Sequence, residues 1–301
     1  MIRDYLELIR FSHTIFALPF AILASIWAWI LSSRQQDSVG FSWSQAIGIL
    51  LCMVFARSFA MAFNRLVDAK FDAANPRTSQ RQIPAGKLSR GSVVVFLLGT
   101  AAAFVGSTLL FLPNRLPVML AIPVLVFLAG YSYTKRFTSL AHYWLGAALM
   151  LAPICAWIAL RGELVSKSPL DLLPAIMLGA GVLFWVGGFD LIYACQDAEI
   201  DQKLGLNSIP ARYGIKNSLR IAAISHAVMI VPLAALPWVA PELSLGWGYA
   251  VGMITVAGVL IYEHSIVSDK DLGRVNVAFF QANAVISIVL LVSGGIDAWL
   301  Q

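Results

Sequence analysis

Residues 43–86 read WSQAIGILLCMVFARSFAMAFNRLVDAKFDAANPRTSQRQIPAG, an apolar run that passes directly into a polar stretch. The first part, residues 43–63, has the length of roughly 20 residues that an α-helix needs to cross a bilayer. Asn64, Asp68 and Asp72 follow at four-residue spacing, which places them on one face of a helix that continues past the apolar run. The stretch therefore predicts a membrane helix that ends in a polar stripe.

The composition extends this interpretation to the whole chain. Of the 301 residues, 59% are hydrophobic and only 12% are charged, whereas a soluble domain is about 25% charged. Apolar runs of membrane-spanning length recur from end to end, which predicts an all-α, polytopic membrane protein with nine transmembrane helices in a single integral-membrane domain, residues 1–301. The predicted spans are residues 14–33, 43–63, 91–112, 116–134, 140–160, 170–194, 218–240, 244–262 and 276–298.

The net charge of +5 follows membrane topology and does not indicate nucleic-acid binding. If the N-terminus and every second connection lie on one side, the 21 Lys and Arg residues divide into sixteen on that side, four on the other and Arg57 inside a span. Cytoplasmic loops carry the excess of Lys and Arg. We therefore predict a multi-pass protein of the cytoplasmic (inner) membrane, with its N-terminus and its active site on the cytoplasmic side.

Two long connections, residues 64–90 and 195–217, resemble each other. Asp197 and Asp201 repeat the four-residue spacing of the first polar stripe, and Asp190 precedes Asp197 by seven residues, as Arg57 precedes the first stripe. Membrane folds are often built from such internal repeats, with the site where the halves meet. The predicted units are two four-helix halves, about 1–138 and about 139–263, and an extra helix, about 276–298.

The spacing of acids and bases predicts a metal–diphosphate site. A carboxylate near the bilayer centre costs about 2.5–3.5 kcal/mol on insertion scales, so a cluster of them needs a neutralising cation. Mg²⁺ takes oxygen ligands and is commonly shared with substrate phosphates. Arg77 and Arg81 follow the first stripe and can hold phosphate oxygens in bidentate fashion, while Lys135 shares a helix face with Tyr131. The predicted metal ligands are Asn64, Asp68, Asp72, Asp197 and Asp201.

Plainer explanations exist for each of these residues. One pair of acids at a helix end is usually a solvated cap, and Lys135 and Arg136 can simply be topology signals. Tyr131, Tyr133 and Tyr193 have the character of interface-belt residues. Two acidic motifs at equivalent positions, each preceded by a charge inside the span, favour a functional site.

The two motifs, NxxxDxxxD from Asn64 and DxxxD in YACQDAEID, resemble those of the UbiA superfamily of intramembrane prenyltransferases. The segments NPRT, IPAG and GYSYTKRFT add to a likeness that covers essentially the whole chain. The resemblance implies nine helices in two halves and the transfer of a polyprenyl group from its diphosphate to an acceptor, most often an aromatic one. It implies that the five predicted metal ligands hold Mg²⁺ and diphosphate, that Arg77, Arg81 and Lys135 bind diphosphate, that Arg57 and Asp190 line the central cavity, and that Arg136 meets the acceptor carboxylate.

The start of the first span departs from the common 4-hydroxybenzoate enzymes of that superfamily. Residues 11–21 read FSHTIFALPFA, where those enzymes carry a Lys-Pro or Arg-Pro pair. This form resembles a branch linked to the futalosine route to menaquinone, whose proposed acceptor is 1,4-dihydroxy-6-naphthoate. The expected acceptor is therefore 4-hydroxybenzoate or 1,4-dihydroxy-6-naphthoate, in ubiquinone or menaquinone biosynthesis.

The expected mechanism is electrophilic aromatic substitution in a dry cavity. Asp68, Asp197 and Asp190 are the predicted catalytic residues, with Asp190 orienting or deprotonating the phenol in a cavity that excludes water. The predicted acceptor and cavity residues are Arg57, Arg136, Tyr131, Tyr133 and Tyr193, and the tyrosine rings stabilise a developing carbocation. Two alternatives remain at this point. One is a cation-coupled transporter, which also uses intramembrane acids and repeated halves. The other is a related enzyme with haem or chlorophyllide as its acceptor.

Overall fold

The computed structural model describes residues 2–9, 16–35 and 40–300. Of the described residues, 83% are helical and none lies in a β-strand, which confirms the all-α prediction. The helices are α1 (Ile2–Leu8), α2 (Leu18–Gln35), α3 (Trp43–Ala74), α4 (Arg90–Thr108), α5 (Leu116–Thr134), α6 (Ala141–Lys167), α7 (Leu173–Ala194), α8 (Ala198–Lys203), α9 (Ile209–Tyr213), α10 (Ile215–Val239), α11 (Trp247–Ser265), α12 (Val275–Val277) and α13 (Asn283–Leu300). Four 3₁₀ turns and one π-helical turn join or extend them, at Leu109–Phe111, Pro169–Leu172, Cys195–Asp197, Pro241–Leu243 and Ala278–Ala282.

Membrane-spanning character is confirmed for most of the long helices. Seven helical stretches in the described part of the chain are long and apolar enough to cross a bilayer. They are Trp43–Ala74, Arg90–Phe111, Leu116–Thr134, Ala141–Lys167, Pro169–Lys203, Ile215–Val239 and Val275–Leu300. The long helices α2 and α11 are not among the seven, so the count of nine spans stays a prediction. The division into two halves and the orientation in the membrane also stay predictions.

The stretch Pro169–Lys203, which contains α7, is the most buried of the seven, with 61% of an apolar 18-residue segment inside the protein. Most of this stretch is α7. This helix packs closely on α6, because a Cβ atom on Gly146 would overlap the carbonyl oxygen of Leu183 and lie 3.1 Å from its carbonyl carbon. Small residues permit this backbone approach between membrane helices. The close packing sets the first turn of α6 beside the last turns of α7, where the candidate site lies.

An aromatic cluster fills the space between α2, α7 and the π-helical turn. The Phe16 ring lies 5.7 Å from Phe189 and 5.5 Å from Phe279, between ring centroids. The indole of Trp185 contacts Phe189 at 5.0 Å and Phe20 at 5.2 Å. Such tilted and edge-to-face pairs stabilise packing beyond the area that they bury. The cluster forms one wall of the larger cavity described below.

The two acidic motifs differ in local structure. Helix α3 continues unbroken to Ala74, so the first stripe lies on the body of a helix and not in a loop. In contrast, α7 ends at Ala194 and a 3₁₀ turn precedes α8. A 3₁₀ helix has 3.0 residues per turn, whereas an α-helix has 3.6. The 3₁₀ turn between them therefore prevents Asp190 and Asp197 from sharing one continuous helical stripe. The second motif is therefore not the structural equivalent of the first stripe that the sequence led us to expect.

Candidate active site

A polar cavity of about 180 Å³ lies where the ends of α3, α5 and α7 meet. Helix α8 and the segment that follows α3 complete its wall. Of the fourteen site residues predicted from the sequence, twelve line it: Asn64, Asp68, Asp72, Arg77, Arg81, Tyr131, Lys135, Arg136, Asp190, Tyr193, Asp197 and Asp201. The fold thus brings both acidic motifs to one compartment, as a shared site requires.

A larger cavity of about 360 Å³ opens from the polar one and runs between the helices. Most of its lining is apolar and comes from α3, α5 and α6, and Arg57 is one of the few charged residues along it. The two cavities share five lining residues: Asn64, Arg81, Tyr131, Asp190 and Tyr193. These five residues form the junction between a charged compartment and an apolar one.

Each of the four acids of the two motifs pairs with a different base. The four pairs are Asp68 with Arg136 at 3.2 Å, Asp72 with Arg81 at 2.6 Å, Asp201 with Lys135 at 3.1 Å, and Asp197 with Arg77. Two of these pairs join residues of the first predicted half to residues of the second. Charges buried in this way are retained only when they are paired and hydrogen-bonded.

Asp197 has the densest set of partners. It accepts hydrogen bonds from Arg77 Nε at 2.8 Å and from Asn75 Nδ2 at 3.2 Å. The same guanidinium donates to the hydroxyl of Tyr193 at 2.8 Å and lies 5.1 Å from the centre of that ring. Burial lowers the pKa of Arg77, but its bonds to Asp197 and Tyr193 outweigh burial and raise the pKa above its usual value. Arg77 therefore carries its charge in the site.

The donor set fits a hard divalent cation. Asn64 donates from Nδ2 to Asp68 Oδ2 at 2.6 Å, and its Oδ1 accepts from Arg65 at 3.1 Å. Asp72 Oδ2 is buried, and no hydrogen bond from the described residues reaches it. The described chain contains no preformed cluster of three metal-ligating His, Cys, Asp or Glu side chains. Carboxylate and amide oxygens are the ligands that suit Mg²⁺.

Tyr133 is not part of the site. Its ring lies 6.1 Å from Phe63 and 5.0 Å from the Arg136 guanidinium, its exposed fraction is 43%, and it lines neither cavity. Residues two apart on a helix point about 160° away from each other, so Tyr131 and Tyr133 do not face the same cavity. The prediction that Tyr133 lines the cavity is wrong for this reason.

Three contacts of the site were not predicted from the sequence. Asn75 follows the last residue of α3 and donates to Asp197, and Ser132 accepts from Asn64 at 3.4 Å. His142, completely buried, lies 2.7 Å from Asp190 between Nδ1 and Oδ2. The Asn-Pro pair that ends α3 was a usable signal for the first contact. Nothing in the local sequence of His142 pointed to Asp190.

Comparison with known proteins adds a family likeness. Residues 17–285 match the UbiA prenyltransferase family. A 4-hydroxybenzoate octaprenyltransferase of Vibrio campbellii is 26% identical over 300 residues, which are 99% of this chain and 98% of that protein. The enzyme of the same name from Methylobacillus flagellatus is 29% identical over 270 residues, 88% of this chain and 85% of that one.

Solved structures show the same fold. The apo structure of a UbiA homolog from Aeropyrum pernix K1 superposes with a TM-score of 0.81 and 28% identity, covering 96% of this chain and 98% of that one. A UbiA homolog from Archaeoglobus fulgidus bound to DMAPP and Mg²⁺ has a TM-score of 0.66 and 17% identity, covering 95% and 99% of the two chains. The second likeness concerns the fold alone.

Proposed function

Because this chain belongs to the UbiA prenyltransferase family and is a prenyltransferase, we propose that it transfers a polyprenyl group from polyprenyl diphosphate to an aromatic carboxylic acid. The observation that carries the proposal is the junction of the two cavities. The charged compartment suits a diphosphate head, and the apolar one suits an isoprenoid tail. The family assignment favours this activity over cation-coupled transport.

We assign the binding of the head group to the paired acids and bases. Asn64, Asp68, Asp72, Asp197 and Asp201 would hold Mg²⁺, which supplies Lewis-acid stabilisation of the departing diphosphate. Arg77, Arg81 and Lys135 would leave their aspartate partners and bind diphosphate oxygens. The fold relative from Archaeoglobus fulgidus was solved with Mg²⁺ and a prenyl diphosphate, which supports the choice of metal and ligand.

We assign the acceptor to the junction and its rim. Its carboxylate would meet Arg136, and its phenolic hydroxyl would face Asp190, which lines both cavities. The relatives named 4-hydroxybenzoate octaprenyltransferase support 4-hydroxybenzoate as the acceptor. The segment that favours 1,4-dihydroxy-6-naphthoate, residues 11–21, is described only from residue 16 onward, since residues 11–15 are not among the described ones. The menaquinone branch therefore stays a second candidate.

The reaction needs little movement of protons by the protein. The allylic C–O bond breaks and its electron pair stays on the diphosphate, whose charge Arg77, Arg81 and Lys135 balance. The ring carbon ortho to the hydroxyl bonds to the allylic carbon, while Tyr131 and Tyr193 face the electron-poor intermediate. The ring proton is lost to the released diphosphate, which restores aromaticity. The apolar walls exclude water that would otherwise capture the intermediate.

Purified protein in lipid nanodiscs tests the proposal directly. It is incubated with labelled polyprenyl diphosphate, Mg²⁺ and either 4-hydroxybenzoate or 1,4-dihydroxy-6-naphthoate, and the products are identified by mass spectrometry. We expect a C-prenylated aromatic acid with one of the acceptors and none after chelation of the metal by EDTA. Failure to prenylate either acid, in protein shown to be folded, would refute the proposed acceptor class.

Metal and pyrophosphate should stabilise the protein cooperatively. Each of the four motif acids is paired with a base. A cation that binds the acids therefore releases the bases for the anion, and an anion that binds the bases releases the acids for the cation. We expect the rise in melting temperature with Mg²⁺ and inorganic pyrophosphate together to exceed the sum of the two separate rises. Differential scanning fluorimetry measures this, with Glu199→Ala as an exposed-acid control that should behave as the wild type. Strictly additive shifts would contradict the exchange of partners.

A further inference from the structure

A residue at the start of α6 bears on the proposed reaction although it lines neither of the two cavities. His142 is completely buried, and its Nδ1 lies 2.7 Å from Oδ2 of Asp190. It is in the lining of neither cavity, whereas Asp190 is in the lining of both and keeps 16% of its side chain exposed. Any effect of His142 on a bound molecule therefore passes through Asp190.

The hydrogen-bond inventory decides how this pair is arranged. A carboxylate only accepts hydrogen bonds, so the shared hydrogen lies on Nδ1 of the imidazole. Nε2 of His142 is buried and has no hydrogen-bond partner among the described residues. An unpaired buried N–H costs the desolvation of a donor, and that cost favours the form in which Nε2 carries no hydrogen. The imidazole ring then donates one hydrogen bond, from Nδ1 to Asp190.

This donor selects one oxygen of the carboxylate. Oδ2 of Asp190 is occupied by His142, while no hydrogen bond from the described residues reaches Oδ1. A carboxylate with one oxygen held has a restricted χ2 angle and presents the other oxygen in a defined direction. Oδ1 is thus the oxygen that remains for a hydroxyl at the junction of the cavities.

We propose that His142 is a positioning residue, which holds the Asp190 carboxylate so that Oδ1 accepts the hydrogen bond of the acceptor's phenolic hydroxyl. The inference rests on the proposed function and deepens it. The hydrogen bond increases electron density on the ring, and the ortho carbon attacks the allylic centre more readily. His142 lines neither cavity and Asp190 forms none of the four acid–base pairs, so we expect His142 to affect the acceptor and not the binding of diphosphate.

Steady-state kinetics of variants in nanodiscs, with both substrates varied, test the proposal. For His142→Ala we expect kcat to fall about 10- to 100-fold, the range found when an orienting partner is removed. The KM for the acceptor should rise, and the KM for polyprenyl diphosphate should stay within about twofold. His142→Gln should recover a large part of the loss, because its amide N–H can donate to the same oxygen.

Two further variants separate positioning from a general structural role. In an Asp190→Asn background, His142→Ala should cause little additional loss, since the two residues act as one unit. Tyr143→Phe is the matched control: it removes a partly buried hydrogen bond of 2.6 Å to Ser225, one residue along the same helix. It should keep the wild-type KM for the acceptor. Size-exclusion profiles and melting temperatures establish that each variant is folded.

The outcomes are distinguishable from failure of the proposed function. Wild-type protein that prenylates neither acid would overturn both ideas. Active wild type with an unchanged His142→Ala variant would overturn the positioning role alone. Equal losses for His142→Ala with and without Asp190, or an equal effect on both KM values, would also overturn it. If His142→Ala is recovered unfolded, the Gln variant and its kcat and acceptor KM decide the question.

Discussion

Asp68→Ala and Asp197→Ala should each reduce prenyl transfer by at least about 100-fold while the protein remains folded. The loss combines a missing ligand for the cation with a base left without its partner, at the point where charge develops on the leaving group. The Asp68 and Asp197 side chains are 26% and 10% exposed, so water can enter the space that each substitution leaves. We therefore expect both variants to remain folded. Initial rates with saturating substrates, measured in nanodiscs, give the effect.

Glu199→Ala is the control for these two variants. Glu199 lies between Asp197 and Asp201 in sequence but is exposed, and it lines neither cavity. It should keep the wild-type rate within about twofold, because surface substitutions away from a site have small effects. A wild-type rate for Asp68→Ala or Asp197→Ala would remove the basis of the proposed metal–diphosphate site.

Gly146→Val should destabilise the protein far more than the same substitution at a glycine of α4 with open space around it. The new side chain would be driven into the backbone of α7 at Leu183, and backbone cannot turn away as a side chain does. Overpacking typically lowers folding stability by about 1–3 kcal/mol. Because this substitution would force two helix backbones apart, we expect a loss at the upper end of that range or above it. We expect a much lower melting temperature, or aggregated protein, by fluorescence-detected size-exclusion chromatography.

Gly99→Val provides the matched comparison for that experiment. Gly99 lies in α4, and among the described residues no heavy atom beyond its own stretch of helix lies within 4 Å of a Cβ built on it. The substitution has the same chemistry in a membrane helix without a close neighbour, so its melting temperature should stay near that of the wild type. Similar melting temperatures for the two variants would show that the α6–α7 contact is not tightly packed.

Local periodicity predicted part of the site well. The four-residue spacing of Asn64, Asp68 and Asp72 is a property of one helix, and α3 is continuous across all three. Sequence reasoning failed for Tyr133, because an aromatic residue near a helix end can line a cavity or lie at the membrane interface. The local sequence does not distinguish these two positions. Sequence reasoning also overstated the likeness of the second motif, since the turn at Cys195–Asp197 breaks the helix there.

The amino-acid sequence by itself determined the membrane class, the helical stripe of acids and the kinds of side chain that the site contains. Each of these depends on composition or on neighbours within two turns of a helix. Only the tertiary structure decided which base meets which acid: Arg77 and Asp197 are 120 positions apart, Lys135 and Asp201 are 66 apart, and His142 and Asp190 are 48 apart. Such pairs form when helix packing brings distant turns together, and the contact at Gly146 that helps to align them is invisible to any local pattern.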